Sequence, residues 1–313
     1  MAKMKCLVLG GAGFIGSHVV DALLERGHQV RVFDRPGIDT KNLSNSMTHI
    51  EFISGDFSNE SDISKALEGS DIVVHLVSTS TPATSNENPV YDIETNITGT
   101  VRLLTFAKDA GVKKVVFASS GGTVYGEPLF LPIQETHPTD PICSYGATKL
   151  AIEKYLHIFH HLYGLEYSIL RCANPYGERQ NPAGGLGAVT VFLWKVLNGE
   201  PITIWGNGEV ARDYFYISDL VAAFVKVIDD TTPSRIYNIG GGRAYSLNEI
   251  VATIQAVTGK AAKVNYTPAR KLDVPVNYLD ITRARNELAW VPTITLEQGV
   301  AKTWSALQGL RRI

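Results

Sequence analysis

The feature that most constrains this chain is the run Gly10-Gly11-Ala12-Gly13-Phe14-Ile15-Gly16, set directly after the short apolar stretch Cys6-Leu7-Val8-Leu9. Gly11, Gly13 and Gly16 fit the pattern GxGxxG between an expected strand and an expected helix. The spacing has a mechanical reason. One glycine turns the chain tightly, a second lets a diphosphate approach the backbone, and a third lets the helix pack on the strand. The helix that opens there offers free N–H groups and the positive end of its dipole to phosphate. Asp34 ends the next expected strand, 18 residues after Gly16. A carboxylate there accepts both ribose hydroxyls of an adenosine and repels a 2′-phosphate, which favours NAD over NADP. Arg35, next in the chain, would soften that repulsion. Asp56, ending a further strand in Gly55-Asp56-Phe57, is placed to reach the adenine amino group.

The rest of the first half repeats the strand–helix alternation. Continuous apolar runs at 6–9, 30–33, 50–53, 72–76 and 115–118, with 167–170 closing the series, suit strands covered on both faces. Segments of helical period lie between them, at 15–26, 63–67, 93–110 and 147–162. This alternation predicts an α/β fold with a doubly wound parallel sheet. From Asn174 to Gly187 the chain is rich in Gly, Pro and Asn and reads as a long loop. Beyond it, helices are expected at 189–197, 219–228, 247–257, 282–289 and 296–307, and strands at 202–205 and 236–239. The expected division is a first domain of residues 1–173 and 212–243, and a smaller C-terminal α/β domain of 174–211 and 244–313, with a ligand cleft between them.

Composition excludes several classes of function. Among 313 residues, 29 basic against 31 acidic ones leave a net charge of −2, and Lys113-Lys114 and Arg311-Arg312 are too short for a nucleic-acid patch. The longest apolar run, 220–228, is interrupted by Lys226 and is too short to span a bilayer. Three cysteines without CxxC spacing imply neither a disulfide framework nor a zinc cluster. With no signal-peptide pattern at the start, the expectation is a cytoplasmic protein. His157, His160 and His161 have helical spacings but no carboxylate ligand motif, so no metal is expected.

Tyr145-Gly146-Ala147-Thr148-Lys149 puts a phenol and an ammonium four residues apart, on one face of a helix. A neighbouring cation favours phenolate, drawing the tyrosine down from about 10 toward the working pH and making it a usable general base. Upstream, Ser119-Ser120-Gly121-Gly122-Thr123-Val124-Tyr125-Gly126 follows an expected strand. In a doubly wound sheet, strand C-terminal ends face the ligand crevice, so these hydroxyls fall where a nicotinamide would sit.

With those residues in view, the chain resembles the extended short-chain dehydrogenase/reductase family in its nucleotide-sugar epimerase/dehydratase branch. Its motifs are most like those of the UDP-glucose 4-epimerases. Further matches are Val74-His75-Leu76, Asn96 in Glu94-Thr95-Asn96-Ile97-Thr98-Gly99-Thr100, and Leu170-Arg171-Cys172-Ala173-Asn174-Pro175-Tyr176-Gly177. Arg212-Asp213-Tyr214, Ile217-Ser218-Asp219-Leu220 and Arg270-Lys271-Leu272-Asp273 complete the set. The resemblance implies a Rossmann domain with NAD bound along it. The cofactor contacts would be Gly10, Gly13, Phe14, Ile15, Gly16, Asp34, Arg35, Asp56, Phe57, Leu76, Asn96, Ser119, Tyr145 and Lys149. It implies a UDP-sugar held by Ser120, Tyr145, Asn174, Arg212, Arg270 and Asp273, and a homodimer built on the helices at 93–110 and 147–162. Two arginines suit this role, since each grips a diphosphate bidentately as lysine does not.

Ser120, Tyr145 and Lys149 are therefore the expected catalytic residues, in a reversible inversion at C4 through a transient 4-keto sugar. Many relatives carry a longer serine run, so that their catalytic hydroxyl falls where this chain has Gly121; the role passes here to Ser120, with Ser119 in reserve. The 4,6-dehydratases place Asp-Glu after the corresponding Thr, whereas Gly121-Gly122 supply no acid for loss of water. In the family a bulky tyrosine four residues after the Arg-x-x-Asp aspartate tends to exclude N-acetyl groups. This chain has the smaller Asn277 there, which implies tolerance of UDP-N-acetylhexosamines. A uronic-acid epimerase, a decarboxylase and a reductase share the same site pattern. A non-catalytic NAD sensor is a further alternative, and would have no need of the intact Tyr145/Lys149 pair.

Overall fold

The computed structural model describes residues 3–184, 187–229, 231–269 and 274–310. In chain order the first elements are β1 (Lys5–Leu9), α1 (Phe14–Glu25), β2 (Gln29–Asp34), β3 (Ile50–Ser54), α2 (Glu60–Leu67), β4 (Ile72–His75), α3 (Pro89–Asp92), α4 (Gly99–Asp109), β5 (Lys114–Ser120), α5 (Ser144–Tyr163) and β6 (Glu166–Cys172). Then follow β7 (Asn174–Tyr176), α6 (Ala188–Asn198), β8 (Ile202–Trp205), β9 (Ala211–Arg212), β10 (Tyr214–Tyr216), α7 (Ile217–Asp229), β11 (Ile236–Ile239), β12 (Tyr245–Ser246), α8 (Leu247–Thr258), β13 (Val264–Thr267), β14 (Val276–Asn277), α9 (Thr282–Leu288) and α10 (Leu296–Leu310).

Seven strands form one sheet in the order β11-β6-β5-β4-β1-β2-β3, and the pairs β1–β2, β1–β4, β2–β3 and β4–β5 are parallel. The reversal beside β1 makes the sheet doubly wound, as the alternation predicts, and sets a crevice at the strand C-termini. Both faces are covered. Leu7, Leu9, Val73, Val115 and Phe117 from the strands pack with Leu103, Leu104, Ile152 and Leu156 from α4 and α5.

One expected helix starts earlier than expected and changes pitch along its length. The segment expected as a helix over 93–110 begins at Asn88, whose side chain caps Tyr91 N–H at 3.1 Å ahead of Pro89. Between α3 and α4 the turns widen over Ile93–Thr98 into π-helical form. There Asn96 Nδ2 donates to the Asp92 carbonyl (3.0 Å), and Thr100 Oγ1 donates to the Asn96 carbonyl (2.6 Å). Side chains that bond to the backbone in this way compete with the regular ladder, and π-turns of this kind recur at functional sites.

The chain divides into two compact units, Met1–Glu127 with Thr136–Arg171 and Val221–Tyr237, and Pro128–Glu135 with Cys172–Leu220 and Asn238–Ile313. These bounds differ from the expected division at the segments 128–135, 212–220 and 238–243, and at residues 172–173. Strand pairing explains the first two. Ile133 N–H donates to the Tyr278 carbonyl (3.0 Å) and Asp280 N–H to the Ile133 carbonyl (2.8 Å). β10 pairs in parallel with β7, so the expected loop at 174–187 opens with a strand. The second unit also holds the sheets β12-β9-β14 and β13-β8, and α8 starts on a reciprocal Ser246/Glu249 cap.

Candidate active site

Within the first unit the glycine run closes the β1–α1 turn. Gly10 has φ +80°, in the left-handed region that glycine enters without strain. A Cβ on Gly16 would lie 2.2 Å from the Gly10 carbonyl oxygen, so only glycine lets α1 cross the turn so closely. Gly13 is the N-cap of α1 and brings no side chain to its first turn. Those N–H groups are thus presented for an anion. Asp34, ending β2, accepts from Ala12 N–H through Oδ2 (3.0 Å) and from Arg35 N–H through Oδ1 (2.9 Å). Its carboxylate thereby braces the loop that would hold a diphosphate. Asp56 is exposed, and the Ser58 N–H (2.8 Å) and hydroxyl (2.7 Å) hold its carboxyl below the usual range. Phe57 lies against His75, with ring centroids 5.4 Å apart. Leu76 follows β4 and is tied to β1 through the Leu9 carbonyl (3.1 Å). Asn96 is buried, accepts from Thr79 N–H (3.0 Å) and donates to Thr79 Oγ1 (2.9 Å). These groups fit a dinucleotide along the sheet: glycines at the phosphate position, a carboxylate at the end of β2, and an ordered loop beyond β4.

Tyr145 and Lys149 sit near the start of α5. Cys143, at the N-cap position, makes no side-chain cap bond there. Instead Asn86 Oδ1 accepts from Ser144 N–H (2.9 Å) and Ser85 Oγ from Tyr145 N–H (3.0 Å). Lys149 is buried, donates to the Ala118 carbonyl (3.0 Å), and has Nζ 5.5 Å from the Tyr145 ring centroid. The ammonium is therefore anchored to β5 and faces the phenol from one side.

The two serines of β5 have different surroundings. Ser119 is buried and donates to Glu153 Oε1 at 2.5 Å. Glu153 is itself gripped by Arg171, with Nη2–Oε2 at 2.6 Å, and Arg171 Nη1 donates to the Tyr125 hydroxyl (2.9 Å). Ser120 is half-buried, and a Cβ added to Gly122 would lie 3.9 Å from its hydroxyl oxygen. The glycine pair thus leaves that oxygen approachable. The Ser119–Glu153–Arg171–Tyr125 network escapes a reading of the sequence, since its bonded partners lie 18 to 46 residues apart. His75 is also buried, and burial, with the Lys149 charge as a second cause, pulls it down to about 3. It is a neutral ring between Phe57 and Phe117, with Nε2 2.9 Å from Thr100 Oγ1.

In the second unit, Arg212 lies on β9 opposite Asn277 of β14 in register, and donates to the Val274 carbonyl (2.6 Å). Asn174 donates through both N–H (2.9 Å) and Nδ2 (3.1 Å) to the Asp213 carbonyl. Asp213 is wholly buried, and burial raises its carboxyl to about 7 against the pull of the Gly241, Leu279 and Gly242 N–H groups. Arg270 and Asp273 lie outside the described residues. Among the described residues no group of His, Cys, Asp or Glu is arranged to hold a metal ion, and no helix is long and apolar enough to cross a membrane. His157 and His160 turn toward Tyr167 and Glu166 respectively, at 3.4 Å each.

A parallel sheet with a glycine turn at its switch point, and a tyrosine–lysine pair on the helix beside it, defines a dinucleotide-dependent enzyme of the short-chain dehydrogenase/reductase type. The chain belongs to the NAD-dependent epimerase/dehydratase family, whose model matches residues 6–240. It is 37% identical over 305 residues to a UDP-glucose 4-epimerase of Mycolicibacterium smegmatis, covering 96% of this chain and 97% of that one. It also resembles the crystal structure of a Thermotoga maritima UDP-glucose 4-epimerase with UDP-glucose, at 38% identity and a TM-score of 0.93, over 98% of this chain and 100% of that one. A UDP-N-acetylglucosamine 4-epimerase of Methanobrevibacter ruminantium, solved with UDP-N-acetylmuramic acid, is 30% identical with a TM-score of 0.92, over 99% and 100% of the chains.

Proposed function

We propose that this chain inverts C4 of a UDP-hexose reversibly, through a transient 4-keto sugar, with NAD retained from cycle to cycle. The observation that carries the reading is the Lys149 ammonium, anchored on β5 and facing the Tyr145 ring, in the same unit as the glycine turn. When bound, NAD supplies the acceptor and donor of the C4 hydride. The chain's own work is proton transfer and orientation. Tyr145 takes the proton of the sugar 4-OH and returns it to the same oxygen once the keto sugar has turned its other face to the cofactor, while Ser120 hydrogen-bonds that oxygen. Lys149 holds the phenolate form of Tyr145 by its charge. Gly10, Gly13 to Gly16, Asp34, Arg35, Asp56, Phe57, Leu76 and Asn96 hold the cofactor, with Ser119 behind them. Asn174, Arg212, Arg270 and Asp273 contact the nucleotide diphosphate and its ribose or base, with the two arginines on the phosphates, and leave the hexose free to turn.

Asn277, in register with Arg212, leaves room for an N-acetyl group. The protein acts as a cytoplasmic homodimer, feeding polysaccharide synthesis. Exposed Tyr155, Ile158, Leu162 and Tyr163 on α5, with Val90, Tyr91 and Ile93, support the dimer. The test offers purified protein UDP-, dTDP- and GDP-sugars without added NAD. UDP-glucose is expected to give UDP-galactose, and UDP-N-acetylglucosamine to give UDP-N-acetylgalactosamine, with no free NADH. Stoichiometric NADH release, or loss of the C6 carboxyl from UDP-glucuronate as the only reaction, overturns the reading.

A further inference from the structure

Asp92 takes no part in the reaction proposed above, yet it is wholly buried where three segments of the first unit meet. Its Oδ2 accepts from Ser144 Oγ (2.8 Å) and Thr148 Oγ1 (2.7 Å) on α5. Its Oδ1 accepts from Asn96 Nδ2 (2.9 Å) and from the Ser80 hydroxyl. These donors are all neutral, so the carboxylate sits inside the protein on hydrogen bonds alone. Burying a charge on such terms costs more than a neutral side chain would, which a merely space-filling position would not require.

The geometry around it is specific. Ser144 and Thr148 are four residues apart and stack on one face of α5, each one residue before a member of the Tyr145/Lys149 pair. Gripping 144 and 148 together fixes the rotation of the helix about its axis, and so the direction in which 145 and 149 point. The Tyr145 hydroxyl stands far enough from that axis for a rotation of only about 10° to carry it more than an ångström. The other carboxylate oxygen holds Asn96 and Ser80, and Asn96 holds Thr79, so the loop after β4 is locked to the same point.

We propose that Asp92 is a positioning residue that locks the rotation of α5 to the loop after β4, giving Tyr145, Lys149 and Asn96 one fixed mutual geometry. The inference rests on the reading of Tyr145 and Lys149 as the reacting pair. Asp92→Asn is nearly isosteric, and the amide nitrogen that replaces Oδ2 accepts no hydrogen bond from the Ser144 or Thr148 hydroxyl, so the variant breaks the tie to α5 with the fold kept. Its kcat is expected to fall about a hundredfold, the cost of an ångström-scale misplacement, with KM changed less than about threefold. Bound NAD is expected to stay at the wild-type level. In a double-mutant cycle with Thr148→Val, the pair is expected to be no slower than Asp92→Asn alone, because both changes break one tie. Amide exchange should rise together in residues 78–81 and 144–149. Should Asp92→Asn fail to fold, Thr148→Val alone is expected to lower kcat about tenfold with the same exchange change in 144–149.

Wild-type kcat in Asp92→Asn, fully multiplicative losses in the cycle, or unchanged exchange in both segments would overturn the proposal. Wild type and Tyr145→Phe are run alongside. An inactive wild type or an active Tyr145→Phe counts against the reaction assignment, while the exchange measurement still decides the role of Asp92.

Discussion

His75 illustrates how a single buried side chain sets the conditions under which the site holds together. Its folded value of about 3 lies below the ordinary 6.5, because the protonated ring would lose its hydration and face Lys149. The sign follows from linkage. The stabilisation is complete above pH 6.5 and drains away as pH falls from there toward 3, a total on the order of 5 kcal/mol. His75→Gln should therefore narrow the gap between the melting temperatures at pH 7.5 and pH 4.5, a comparison thermal melts make directly. A gap as wide as the wild type's would contradict the assignment. The neighbouring serines differ in an equally measurable way. Ser120→Ala should lower kcat by about a hundredfold, the ordinary worth of a hydroxyl acting on the reacting oxygen. Ser119→Ala should instead act on stability, by about 1 to 3 kcal/mol through loss of its bond to Glu153, with kcat near wild type. Tyr145, Lys149, Asp34 and the glycines were legible in the sequence because each acts through a local pattern. Asp92, with partners 52 and 56 residues away, was not, since no periodicity joins it to Ser144 or Thr148.

At the scale of elements, the glycine turn is the least replaceable piece. Gly16→Ala places a methyl 2.2 Å from one backbone oxygen and 2.7 Å from the Gly11 Cα, with no flexible side chain to yield. It should cost about 1 to 3 kcal/mol by overpacking and weaken NAD binding, both read from thermal melts with and without added cofactor. Melting behaviour unchanged in both conditions would show that α1 does not cross the turn as closely as described. The long central strands and helices could be read from apolar runs, because burial on both faces forces such runs. The short strands β7, β9, β10, β12 and β14 could not. Two or three residues carry no period, and their pairing is decided by partners distant in the chain, as with Arg212 opposite both Asn277 and Tyr245. The π-helical stretch between α3 and α4 was hidden for a related reason: Asn96 bonds to the backbone rather than interrupting the apolar pattern.

For the whole molecule, a chain of 34.1 kDa that exposes Tyr155, Ile158, Leu162 and Tyr163 along one helix is expected to run at twice that mass in light scattering. Ile158→Glu should return it to the monomer mass; a wild-type chain that runs as a monomer would remove the dimer from the account. The residues proposed to hold the cofactor, with Tyr145 and Lys149, fall in one unit, and Asn174, Arg212 and Asn277 fall in the other. The proposed reaction depends on a phenol, Tyr145, whose proton moves under the influence of Lys149 beside a retained dinucleotide. The most direct measurement is Tyr145→Phe, assayed for interconversion of UDP-glucose and UDP-galactose and for bound NAD in the same preparation. The account predicts turnover lower by about a thousandfold or more with the NAD content unchanged. Interconversion at the wild-type rate without that hydroxyl would contradict it.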